Sequence, residues 1–172
     1  MDPGGADVPR ILALFAATLV LAGCESGPAG PLPAEPDQLV LYSIDLQTWA
    51  EVDFNPAAAE ATGKLLDGYP VLGKVPITDL AQRRQVLSAI RRAVRKPPPG
   101  KACFVPRHAL RAVKGNEIVD MVICFECGNY KHYQGGRLVS AFTPPISSDA
   151  EPLFDKILTD AGVPLAPKPK PK

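Results

Sequence analysis

The sequence predicts an α+β fold: a small, mostly antiparallel sheet, its C-terminal half a β-meander, with one or two helices packed on one face. Three observations carry this. Gly115-Asn116 and Gly135-Gly136 each separate two runs rich in apolar and β-branched residues, as hairpin turns do. Residues 79–96 repeat apolar side chains at helical spacing and stop at Pro97-Pro98-Pro99-Gly100. Ser148-Asp149-Ala150-Glu151 reads as a capping box ahead of a second apolar helical stretch that ends at Gly162.

The folded body spans 39–163. Its first strand is Leu39 to Asp45, LVLYSID. Residues 46–68 are mixed: Trp49 and Phe54 are apolar packing groups, and Asn55 to Leu66 suits a short helix. Tyr69 to Ile77 reads as a second short strand, which Pro70 and Pro76, with no N–H to donate, place at an edge or limit in length. In the helix that follows, Asp79 caps, with Gln82 three residues on. Leu80, Val86, Leu87, Ile90, Ala93 and Val94 form its apolar face, and Arg83, Arg84, Arg91, Arg92 and Arg95 fall largely elsewhere, on a solvated face.

Strands over 102–113 and 117–127 then pair about Gly115-Asn116, with partner numbers summing to 231, so that Arg111 faces Asp120. The next turn sets Tyr133 opposite Leu138, and a strand runs on through Phe142. The last helix buries Leu153, Phe154, Ile157 and Leu158, with Pro152 tolerated in its first turn.

Lys plus Arg total 19 and Asp plus Glu 18 in 172 residues. That balance gives no electrostatic footprint for nucleic acid. Residues 1–23 read as a leader, with Arg10 ahead of the apolar run ILALFAATLVLA, too short to span a bilayer comfortably. Leu21-Ala22-Gly23-Cys24 resembles a bacterial lipobox at all four positions. The resemblance implies cleavage before Cys24, lipidation of Cys24, and a domain held outside the cytoplasm on a bacterial membrane, facing the periplasm or the cell surface; the domain is expected to be a monomer. Residues 24–38 would be the lipidated cysteine and an extended Pro/Gly-rich tether, and 164–172 an exposed Pro/Lys tail.

The residues with chemistry in them are Cys103, Arg107, His108, Cys124, Glu126 and Cys127. Three readings compete. Cys103, His108, Cys124 and Cys127 could bind zinc as three thiolates and an imidazole. An unbroken hairpin works against this, because Cys103 would face Gly128, about 13 Å along the strand from Cys124. Zinc would therefore need a bulge at Pro106 and a turn at 124–127. A thiol-redox site is the second reading, although no helix follows the C-x-x-C as redox motifs require. The third is structural: one disulfide, such as Cys103 to Cys127, and a buried free cysteine. Arg107 and Glu126 are candidate binding residues, or a diagonal ion pair on a strand face. Apart from zinc no cofactor is called for. No Ser-centred nucleophile elbow, phosphate loop or paired-His helix argues for an enzyme.

The segments LVLYSID, GYPVLGKVPITD, CFVPRHALR, VDMVICFEC and DAGVPLAP together resemble a family of small bacterial lipoproteins of the planctomycete type. The resemblance covers nearly all of 39–167 and implies secretion, anchoring and a single domain. It assigns no catalytic residue, and it groups Cys103, Pro106, Arg107, His108, Cys124 and Cys127 in one local site. The function expected is a binding or structural role at the cell envelope, with a zinc-binding or thiol-redox domain as the alternative.

Overall fold

The structure, a computed structural model, describes residues 1, 30–46, 63, 65–139 and 143–168. The leader, Cys24, Trp49, Phe54 and the expected strand end at Phe142 lie outside the described residues. The protein is an α+β fold built on a curled, antiparallel seven-stranded sheet in the order β2-β3-β1-β4-β5-β6-β7. The strands are β1 Gln38–Ile44, β2 Leu65–Leu66, β3 Tyr69–Pro76, β4 His108–Lys114, β5 Glu117–Cys124, β6 Asn129–Gln134 and β7 Arg137–Leu138. Helix α1 is Leu80–Arg95, and α2 is Glu151–Asp160.

β1 pairs antiparallel with both β3 and β4, so β3 and β4 run parallel to each other. A parallel pair needs a crossover, and α1 supplies it. The helix buries Val86, Leu87, Ala89, Ile90 and Ala93 in the core shared with Leu39, Leu41, Leu110, Met121 and Ile123. Phe154, Ile157 and Leu158 of α2 fill the same layer. The opposite sheet face carries a smaller cluster of Tyr42, Ile44, Leu66, Tyr69, Ala109 and Val122.

Several expected features are present. The hairpin has the expected register, His108↔Ile123 through Lys114↔Glu117, and Tyr133 lies opposite Leu138. Asp79 caps α1 by accepting from the Gln82 N–H at 2.7 Å. Gly162, at φ +71, ends α2 in the left-handed region glycine favours.

Other expectations are corrected. The edge placement expected for β3 is not found: the two-residue β2 lies outside it, with Leu65 opposite Pro70, and β1 flanks its other side. Residues 102–107 form no strand: β4 begins at His108, just past Pro106, which cannot donate to a ladder. Leu66 is in strand β2, with Leu65, and not in a helix. Leu80 is 62% exposed, and the buried residues of α1 begin only at Val86. Ser148 is no cap: Ser148–Ala150 is a 3-10 turn entered from Ser147, and α2 continues from it. Residues 30–37 are packed on the domain, with Leu32 buried in the core. Of the expected tail, Leu165 and Ala166 also pack inward.

Candidate functional site

The candidate residues gather where β4 begins and β5 ends. Phe125 to Gly128 form a tight turn between β5 and β6, closed by the Gly128 N–H donating to the Phe125 carbonyl at 3.1 Å. Gly128 has φ +67, which a side chain would strain. The turn brings Cys127 to Cys103, and the two form a disulfide. Around it, the Lys101 N–H donates to the Cys127 carbonyl at 2.7 Å, and Asn129 Nδ2 donates to the Lys101 carbonyl at 2.6 Å. The bond therefore fastens the loop leading into β4 to the turn leaving β5.

Cys124 is free and buried. Its Sγ accepts from the Cys127 N–H at 3.2 Å. Burial pushes its thiol up, against the smaller opposing effect of backbone N–H groups at Val105, Cys127 and Glu126. A thiol held protonated is a poor nucleophile.

Arg107 and His108 point to α2 and not to the thiols. Arg107 Nε donates to the Ala166 carbonyl at 2.8 Å, and its Nη1 lies 3.1 Å from Glu151 Oε1. The expected diagonal partner, Glu126, sits in the turn, and Arg107 pairs with Glu151 instead. His108 is fully buried against Phe125 and Phe154, with ring centroids at 5.4 and 6.0 Å. Its Nε2 meets Asp155 Oδ1 at 2.8 Å. This hydrogen bond from His108, helped by the charges of Arg107 and Lys168, holds the Asp155 carboxyl below its ordinary range despite partial burial.

The four candidate zinc ligands do not assemble into one set. Two are joined to each other and the imidazole is bonded to Asp155. Among the described residues, no three His, Cys, Asp or Glu side chains are grouped to hold a metal ion.

Ser43, Asp155 and Glu151 were not legible as neighbours of this cluster. Ser43 is directly opposite His108 in the β1–β4 ladder. The Ile44 N–H bond to the Arg107 carbonyl makes Ser43–His108 a non-hydrogen-bonded pair, the closer kind, with Cα atoms about 4.5 Å apart. Ser43, His108 and Asp155 thus lie in a row that superficially resembles a nucleophile, base and orienting acid. Ser43 and His108 are both 0% exposed, so the row is closed to solvent at these two residues. The arrangement works as a clamp: a disulfide, the Arg107–Glu151 ion pair and the His108–Asp155 hydrogen bond tie loop, turn, α2 and the following segment together.

A second concave feature lies elsewhere. A groove of about 580 Å³ runs between residues 34–37 and the start of α1, with Leu80 and Leu87 beside Arg83, Arg84, Arg91 and Lys114. Arg83 Nη1 donates to the Pro36 carbonyl at 3.1 Å, and Arg91 Nη2 to that of Ala34 at 2.7 Å. Asp37 meets Lys114 Nζ and the Gly115 N–H, which hold its carboxyl below the usual range. Helical spacing revealed the arginines. It carried no signal for the chain segment that forms the other wall.

Comparison of the chain with protein-family models, with curated proteins and with solved structures found no match.

Proposed function

We propose that the protein is a lipid-anchored, extracytoplasmic domain with a binding or structural role at the bacterial cell envelope. The observation that carries this reading is the apolar run ending in Leu21-Ala22-Gly23-Cys24, whose small residues suit a signal peptidase and whose thiol suits acylation. The Cys103–Cys127 disulfide supports it, since such bonds persist in oxidising compartments outside the cytoplasm. The clamp at the start of β4 supports a structural role: its free thiol is buried, and its histidine is bonded to Asp155 through Nε2.

The test is expression of the full chain in a lipoprotein-processing bacterium, with membrane fractionation and mass analysis of the mature N-terminal peptide. A peptide that begins at acylated Cys24, in a membrane-bound chain, is the expected result. A soluble Cys24→Ser variant should accompany it. An unprocessed or unacylated wild-type chain would overturn the reading.

A further inference from the structure

We infer that the exposed face of α1 docks on anionic phospholipid headgroups of the membrane that anchors the chain, an inference that rests on acylation at Cys24. The helix sequence, LAQRRQVLSAIRRAVR, holds no acidic residue. Arg84, Arg91, Arg92 and Arg95 are exposed along it, and exposed Lys96 follows. Arg84, Arg91 and Arg95 stand at i, i+7 and i+11, one line down a helix. Among the described residues, none of the ion pairs involves these four arginines. Glu35 is the remaining acid at the groove, since Asp37 is held by Lys114. The whole chain is nearly neutral, so this field is local to one face.

The path of the chain selects the membrane as occupant. Gly30 lies against the side-chain stem of Arg91, and the Ala34 carbonyl is bonded to the Arg91 guanidinium. Cys24 precedes Gly30 by six residues, 30 − 24. Even fully extended, that length spans no more than about 22 Å. An acyl group on Cys24 therefore keeps the arginine face within reach of the headgroups. A short tether gives an effective concentration on the order of millimolar, which turns a weak electrostatic contact into a populated one. Each cation near an anionic surface contributes a factor of about five. Exposed Leu80, beside Arg83 and Arg84 in the groove, adds an apolar group at the same surface.

The experiment places the full acylated chain on phosphatidylcholine vesicles, with or without phosphatidylglycerol, and maps arginine modification by phenylglyoxal with peptide mass analysis. On phosphatidylglycerol vesicles, modification of Arg84, Arg91, Arg92 and Arg95 should fall by about fivefold or more, and high salt should restore it. Exposed Arg137, on β7, should react equally on both. Equal modification of the four helix arginines on both vesicles overturns the docking. The N-terminal peptide in the same digest reports acylation separately. If it carries no acyl group, the anchoring reading fails, and docking is judged by sedimentation of that chain with phosphatidylglycerol vesicles. Sedimentation lost in R84Q/R92Q/R95Q sustains the docking. No sedimentation, or sedimentation unchanged in that variant, overturns it.

Discussion

The two faces of the sheet use alternate residues of the same strands and hold together differently. On the helix-covered face, Leu39, Leu41, Leu110, Met121 and Ile123 meet Ile90, Phe154 and Leu158, and its histidine is kept at one end of the layer. On the other face the ion pair is in mid-strand. Arg111 makes two bonds to fully buried Asp120, at 2.7 and 2.8 Å. Nearby, Lys131 Nζ donates to the Tyr69 hydroxyl at 2.9 Å and stands 4.7 Å from the Phe104 ring centre. Burial and the bond to Tyr69 push the Tyr133 hydroxyl up, so it stays protonated. One face is joined by packing between elements distant in sequence. The other is joined by polar contacts of which the strongest is local to a hairpin.

That contrast can be broken first at Phe154. Phe154→Ala leaves a cavity between α2, Phe125 and His108, and should destabilise the fold by about 4 kcal/mol, measured as a shift in urea midpoint at constant slope. Opening the disulfide with C103S/C127S comes next. The bond spans a separation of 24 residues, for which chain entropy gives about 3 kcal/mol, and reductant should reproduce the effect in the wild type only.

Arg111→Ala strands the Asp120 carboxylate, and should cost about 3 kcal/mol, the low end for a buried pair because Arg111 keeps a third of its side chain in water. The double variant R111M/D120L should recover most of that loss. No such rescue is expected for Phe154→Ala from any polar change. A double variant as unstable as Arg111→Ala would show that the two faces do not differ in this way.

The smallest effect belongs to Asp155. Its folded carboxyl titrates below the ordinary value of 3.8, so its stabilising contribution is complete above that value and disappears as the pH falls through the lowered one. Asp155→Asn should therefore flatten the loss of stability as the pH falls below the ordinary value of 3.8 in denaturant titrations. At neutral pH it should cost about 1 kcal/mol through the weakened His108 bond.

Legibility followed sequence distance. The Arg111–Asp120 pair, nine residues apart, came from the Gly115-Asn116 turn alone, because a two-residue loop sets the register of both strands. Extending that register past His108 failed, since it assumed a strand through Pro106. Glu126 was consequently given to Arg107. The partner it has, Glu151, is 44 residues away, and Asp155 is 47 residues from His108. No local pattern encodes such pairs. The leucine at the start of α1 shows the same limit on a smaller scale: helical spacing assigns Leu80 to the apolar face, but it is 62% exposed and burial begins at Val86. The walls of the α1 groove needed the packing of residues 34–37, which composition alone marks as a tether.

The turn that places Cys124 beside a disulfide has a consequence for oxidative maturation. Cys103, Cys124 and Cys127 allow three single-bond pairings, and in the unfolded chain the leftover thiol of each can attack the bond and interchange them. Folding stops that shuffling. Once Cys124 is enclosed, desolvation keeps its sulfur protonated, and the thiolate required for attack is withdrawn. Burial of Cys124 thus disfavours exchange of the native pairing in the folded chain. Opening of the four-residue turn at Phe125 to Gly128 is the event that would restart the exchange.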